Sequence, residues 1–89
     1  MASIRDLKRD INYVLGDIIE ATYLHEIANP KIDLKKTDAI IDEAISVFDD
    51  LITKVNDRSV ENRGVHLKSV NQELESRGRD LIDKLNKLS

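Results

Sequence analysis

The chain has 89 residues, of which 40% are apolar and 35% charged, with a formal net charge of −3. Its length predicts a single domain over residues 1–89, and this apolar content excludes a disordered tail. The absence of cysteine excludes disulfides, thiolate catalysis and cysteine-bound zinc. Three glycines and one proline leave little turn chemistry for a multi-stranded sheet. We therefore expect an all-α protein.

The distribution of apolar residues predicts a cytoplasmic protein that does not enter a membrane. Apolar runs are short, as in Val14–Leu15 and Ile18–Ile19, whereas a spanning helix needs about 20 apolar residues. The first residues become charged at Arg5 and Asp6 and contain no hydrophobic signal core.

The first predicted helix covers about residues 4–28. Ser3 is a candidate N-cap because its hydroxyl can accept a hydrogen bond from an otherwise unpaired backbone N–H. Apolar side chains then recur at steps of three and four, the spacing of one helix face: Ile4, Leu7, Ile11, Val14 and Ile18. Asn29 and Pro30 end the helix because proline cannot donate and disfavours helical geometry before it.

The second predicted helix covers about 34–56, with Asp33 or Thr37 as its cap. Its broad apolar arc is typical of a helix packed against two neighbours, and it comprises Ile40, Ile41, Ala44, Ile45, Phe48, Leu51, Ile52 and Val55. Asp38, Asp42 and Asp49 share the opposite side. We interpret them as a solvated acidic surface, since one helix face cannot surround a calcium ion with oxygens.

The third predicted helix covers about 60–88, with Ser59 or Asn62 at its start, and its core stripe comprises Leu67, Val70, Leu74, Leu81, Leu85 and Leu88. Leucine at every seventh position, beginning at Leu67, is the spacing of a coiled-coil seam. The polar residues 56–59 predict a turn before it, although a helix kink stays open. A continuous helix would shift its apolar face by roughly 110° between Val55 and Leu67. Short connections predict an up-down-up bundle. The alternative is a helical hairpin that completes a larger bundle with a second copy.

A row of small residues accompanies the leucines of the third helix and consists of Gly64, Asn71 and Gly78. Glycine inside a helix costs about 1 kcal/mol relative to alanine, so a structural reason is expected. We predict that a neighbouring helix approaches closely along this row, or that the row leaves room for Phe48 or a tyrosine.

A second apolar stripe lies opposite the core stripe of the first helix and consists of Tyr13, Gly16, Glu20, Tyr23, Leu24 and Ile27. One helix cannot bury both stripes in a three-helix bundle, so this stripe is expected to be exposed or to meet a partner. Tyrosine suits interfaces because its ring buries area while its hydroxyl stays hydrated. The stripe predicts a non-enzymatic protein that forms homodimers or binds another helical protein. Alternatively, Leu24 and Ile27 pack under the 29–36 segment.

We find no catalytic, metal-binding or cofactor-binding constellation in the sequence, and we expect none of these sites. His25 lies on the core stripe, and the zincin motif would require a second histidine four residues from the first. A structural histidine is therefore the interpretation.

Residues Leu7–Asn12 resemble, over about six residues, the opening of the helical chorismate mutases. The resemblance implies a small all-helical enzyme as an alternative function. The family's pattern has an arginine where this chain has Lys8, the expected later arginine of the first helix is missing, and Pro30 interrupts that helix. The cationic site that would hold a dicarboxylate is therefore absent.

A second alternative is weak association with nucleic acid through the basic residues of the last third of the chain, Arg58, Arg63, Lys68, Arg77 and Arg79. Acid-then-base pairs at four-residue spacing, such as Glu73 with Arg77 and Asp80 with Lys84, predict instead a self-paired, solvated surface. With no aromatic residue interleaved, we expect no nucleic-acid partner.

Overall fold

The computed structural model describes residues 4–88, which form three long helices joined by two short connections. The helices are α1 (Ile4–Ala28), α2 (Leu34–Asn56) and α3 (Arg63–Asn86). No strand occurs among these residues, and the all-α prediction is confirmed. The predicted cap Ser3 lies outside the described residues.

Contacts between the helices establish the up-down-up order that was predicted. Three ion pairs link α2 to α3: Lys54 with Glu73, Asp50 with Arg77, and Glu43 with Lys84. From one pair to the next, the residue number on α2 falls while the residue number on α3 rises. These two helices are therefore antiparallel. Along α1 and α3 the numbers rise together, so these helices are parallel neighbours. The bundle measures 50 × 19 × 16 Å.

The first connection shows how side chains end one helix and begin the next. The backbone N–H and the side-chain amide of Asn29 both donate to the carbonyl of His25, at 3.1 and 3.0 Å. Asp33 then caps α2 by accepting a hydrogen bond from the backbone N–H of Lys35 at 2.9 Å. Asp33, one of the two predicted caps of α2, is therefore the residue that caps it.

Two threonines are fully buried, and each satisfies its hydroxyl within its own helix. Thr37, the other predicted cap, donates to the carbonyl of Leu34 at 3.0 Å. Thr22 donates to the carbonyl of Ile18 at 2.8 Å. Neither hydroxyl therefore needs a partner from outside the bundle.

The second connection is a turn, and α3 begins at Arg63, three residues later than predicted. The carboxylate of Asp57 accepts hydrogen bonds from the backbone N–H of Ser59 at 2.9 Å and from its hydroxyl at 2.6 Å. This Asx-turn uses the side chain of Ser59 before a helix can begin there. Asn62 caps α3 instead, accepting from the backbone N–H of Val65 at 3.1 Å.

The core draws on one stripe of each helix, and α2 is rotated slightly from the predicted arc. The buried apolar residues are Leu7, Ile11, Leu15 and Ile18 from α1, Ile40, Ile41, Ala44, Val47, Leu51 and Val55 from α2, and Val70, Leu74 and Leu81 from α3. Val47, outside the predicted arc, is buried, whereas Ile45 is 48% exposed. Ile45 lies about 100° around the helix from Ala44, at the edge of the contact with α1, where it borders a small cavity.

The leucines at seven-residue spacing lie along the core side of α3. Leu74 and Leu81 are buried, and Leu67 and Leu88 are half-buried and pack against the core. The helix ends at Asn86 rather than at residue 88, because the N–H of Leu88 donates to Leu85, three residues back, instead of continuing the helical pattern.

Candidate helix-binding surfaces

The contact between α2 and α3, here the α2/α3 seam, is closed by a four-residue charge network. The ammonium group of Lys54 lies 2.8 Å from Glu73 and 3.2 Å from Asp50. The guanidinium group of Arg77 lies 2.6 Å from Asp50 and 3.0 Å from Glu73. Each acid therefore contacts both bases. The predicted pair of Glu73 with Arg77 is present, and its two partners on α2 are additional.

The charge network shifts the pKa values of Asp50, Lys54 and Arg77 in the directions expected from neighbouring groups of opposite charge. Hydrogen bonds, first from Arg77 and then from Lys54, hold the pKa of Asp50 below its usual value of 3.8. The hydrogen bond to Glu73 raises the pKa of Lys54 above 10.5. The bond to Asp50 raises the pKa of Arg77. Asp50, Lys54 and Arg77 thus keep their charges across the neutral range.

Two further contacts extend the α2/α3 seam toward its ends. Lys84 binds Glu43 of α2 at 2.7 Å, rather than Asp80 of its own helix as the spacing predicted. At the other end, Nε2 of His66 lies 2.6 Å from the carbonyl of Lys54. This carbonyl, in the last turn of α2, also accepts from the backbone N–H of Asp57 at 3.2 Å. A carbonyl oxygen has two lone pairs, so the imidazole donates to the second one and joins the first turn of α3 to α2.

The second apolar stripe of α1, here the outer face of α1, lies on the exposed side of the helix. It comprises Tyr13, Gly16, Glu20, Tyr23, Leu24 and Ile27, and all six are exposed. The side chains of Tyr13, Tyr23, Leu24 and Ile27 are 60, 50, 58 and 76% exposed. Leu24 and Ile27 therefore do not pack under the 29–36 segment, and that alternative is wrong.

Gly16, at the middle of the outer face, has no close neighbour within the chain. A Cβ placed on it would meet no atom within 4 Å, whether from α2 or from α3. On one side it borders a small cavity of about 220 Å³ between α1 and α2, together with Ile45 and Phe48. Packing within the described residues gives no reason for a glycine here.

A long apolar groove, here the α1/α3 groove, runs along the junction of α1 and α3 on the side of the bundle away from α2. It consists of two cavities of about 440 and 470 Å³ that share Val14 and Ile82. Its apolar lining comprises Val14, Ile18, Ala21, Leu74, Gly78, Ile82 and Leu85. Tyr13 of the outer face lies at its edge. No pattern in the sequence predicts this groove, because it depends on how two different helices pack against each other.

The charged residues that line the α1/α3 groove are mostly acidic. Asp10, Asp17 and Glu75 carry carboxylates, and Arg79 is the one base among the described residues of both cavities. In the part of the chain from 4 to 88, neither Asp17 nor Glu75 forms a hydrogen bond or an ion pair. Their charges are therefore available to a partner.

The predicted row of small residues on α3 divides into three different environments. Gly78 is buried, and a Cβ on it would lie 3.3 Å from Cγ1 of Val14, so α1 approaches α3 closely there. Asn71 is half-buried at one end of the α1/α3 groove. At Gly64 a Cβ would meet only the side-chain oxygen of Asn62, at 3.6 Å. The prediction of a close helix approach is wrong at Gly64, since it lies exposed in the first turn of α3.

His25 and Glu26 lie half-buried near the end of α1. Nε2 of His25 and Oε1 of Glu26 are the two buried side-chain atoms without a hydrogen-bond partner that the described residues contain. Over residues 4–88 we find no group of three or more histidine or acidic side chains placed to hold a metal ion. None of the described helices has the length and apolarity needed to cross a bilayer.

No family model, no curated protein and no solved structure matches this chain. The outer face of α1 and the α1/α3 groove are therefore the features that bear on function.

Proposed function

We propose that this protein is a non-enzymatic interaction module, a cytoplasmic homodimer that self-associates through the outer face of α1. One observation carries the proposal: four large apolar side chains, each at least half exposed, occupy one side of one helix. These are half of the eight exposed large apolar residues that the described part of the chain contains. Exposed apolar side chains gathered on one surface mark interaction sites, whereas single ones need no explanation.

The length of the outer face favours an elongated partner such as a second helix. Fourteen residues separate Tyr13 from Ile27, which corresponds to about 21 Å of helix. The two tyrosines alone offer on the order of 200 Å² of contact area. A stable dimer buries about 800 Å² on each partner, so the contact must run along the whole face.

Gly16 supports close packing of a partner at the centre of this face. An exposed glycine in a helix lowers stability by about 1 kcal/mol relative to alanine, and no atom of α2 or α3 lies close enough to require it. A second helix that approaches the backbone of α1 at Gly16 would supply the reason.

Sedimentation equilibrium over a range of concentrations tests the proposal. The double variant Tyr23→Glu, Leu24→Glu should weaken self-association by at least about a hundredfold, because two carboxylates replace the apolar contact. Both side chains point to solvent in the single chain, so the far-UV circular dichroism should not change.

Val65→Glu is the matched control, since Val65 is 63% exposed but lies on α3, away from the outer face. It should sediment as the parent protein does. A parent protein that stays monomeric at millimolar concentration would overturn the proposal, and so would an unchanged mass for the double variant.

A further inference from the structure

We propose that the α1/α3 groove binds a basic amphipathic helix of another protein, which becomes the fourth helix of the bundle. This surface differs from the outer face of α1, so the proposal goes beyond self-association and does not depend on it. The shape, the depth and the charge of the groove support the proposal.

The shape of the α1/α3 groove matches one helix lying between two parallel helices. Its lining on α1 runs from Asp10 to Ala21, about 18 Å of helix, or about three turns. An occupant of about 12 to 16 residues would cover it. Up-down-up bundles leave one such position open, and antiparallel four-helix bundles fill it.

The floor of the groove supplies the apolar contact that such a helix needs. Leu74 and Ile18 form its buried base, and Val14 and Leu85 are half-buried on its walls. Ile82 is 46% exposed at the point where the two cavities join. A bulky apolar side chain from a partner can therefore enter each cavity, with Ile82 between them.

The charge of the groove decides which helix fits. From Asp10 to Pro30 the chain contains four acidic residues and no lysine or arginine. Asp10 and Asp17 line the α1 wall, and Glu75 lies across from them on α3. A second copy that placed its own α1 here would bring carboxylates against carboxylates. Lysine or arginine on both edges of an apolar stripe would instead pair with them.

The test uses a fluorescent 16-residue peptide of leucine and lysine, with leucine at helical i, i+3, i+4 and i+7 positions. A peptide with glutamate in place of lysine has the same apolar stripe and the opposite charge. Fluorescence anisotropy at low salt should show saturable binding of the lysine peptide and at least about tenfold weaker binding of the glutamate peptide. Equal affinity of the two peptides would overturn the proposal.

Three variants locate the binding site. Ile82→Lys and Ala21→Lys, each made alone, should weaken binding of the lysine peptide at least about tenfold, because each places a long charged side chain in the groove. Val65→Lys adds the same charge to an exposed position of α3 outside the groove and should bind as the parent protein does. Retained binding in both groove variants, or equal loss in Val65→Lys, would overturn the proposal.

The same variants separate this proposal from self-association. Ile27→Lys, on the outer face, should weaken the dimer and leave peptide affinity unchanged. Ile82→Lys should weaken peptide binding and leave the sedimenting mass unchanged. A dimer that dissociates in Ile82→Lys but persists in Ile27→Lys would show that a second copy occupies the groove, and it would overturn the proposal of a foreign helix.

Discussion

The two sides of α3 differ in how completely they are matched by the rest of the chain. Toward α2, ion pairs cross the α2/α3 seam at Lys54–Glu73, Asp50–Arg77 and Glu43–Lys84. Two small cavities of about 270 and 330 Å³ also border this seam. Toward α1, the described residues form no ion pair across the α1/α3 groove, whose two cavities are larger, at about 440 and 470 Å³. Ion pairs thus join α3 to one neighbour and not to the other.

The difference follows from where the charges of the two neighbouring helices lie. α2 offers Lys54, Asp50 and Glu43 as partners of opposite charge to Glu73, Arg77 and Lys84 of α3. The middle of α1 has acids but no lysine or arginine, and α3 presents a small residue, Gly78, at the point of closest approach. Charge complementarity within the chain therefore joins the α2 side of α3 by ion pairs and leaves its α1 side without them.

Gly78→Leu should cause the largest change, because the new side chain would force α1 and α3 apart. Even its Cβ would lie 3.3 Å from Cγ1 of Val14, and overpacking of this kind costs about 2 kcal/mol. Urea unfolding followed by circular dichroism measures the loss. Gly64→Leu is the control: it meets only Asn62 and should raise stability by a few tenths of a kcal/mol. Equal effects of the two variants would contradict a close contact at Gly78.

Gly16→Ala should have a smaller and opposite effect on the single chain. No atom lies within 4 Å of the new methyl group, and alanine is the better helix former by about 0.5–1 kcal/mol. Thermal unfolding at low protein concentration should show the gain, and sedimentation should show weaker self-association. A variant that is more stable and associates as before would show that no partner helix packs against Gly16.

Asp50→Asn should have the smallest effect, a loss of stability that is present above about pH 4 and disappears at low pH. The folded pKa of Asp50 lies below 3.8, so its contribution is complete above about pH 4 and is lost as the pH falls through the folded value. The pKa of Lys54 lies above 10.5, so its contribution is lost as the pH rises above that value. Thermal unfolding from pH 2 to pH 7 should show a shallower acid loss in the variant, and Asp49→Asn, exposed next to it, should show the parent profile. An unaltered acid profile in Asp50→Asn would show that the network contributes nothing.

The sequence predicts the helices well because each one carries its own periodicity and ends. Leu74 and Leu81 follow from spacing alone, and Asn29 with Pro30 ends α1 as expected. For the start of α3 the sequence leaves Ser59 and Asn62 open, because both side chains can cap a helix. Which of them does so depends on Asp57 binding Ser59 first.

The surfaces divide in the same way. Two stripes on one helix predict an exposed outer face on α1, since exposure there follows from helix geometry. The α1/α3 groove and the partners of Arg77 depend on the register and separation of different helices, which no spacing within one helix encodes. The four-residue spacing within α3 predicts Glu73 as a partner of Arg77, but it cannot predict Asp50, which lies on α2.

The parallel direction of α1 and α3 has a consequence for any helix that lies between them. Their first residues, Ile4 and Arg63, lie at the same end of the bundle as the last turn of α2. Each helix carries about half a positive charge at its N-terminus and half a negative charge at its C-terminus, so two positive ends face one negative end. A fourth helix with its C-terminus at this end brings a second negative end, so the positive and negative helix ends balance. In the opposite orientation it brings a third positive end, and the excess of positive ends doubles. The groove therefore distinguishes the two directions in which the same helix could bind.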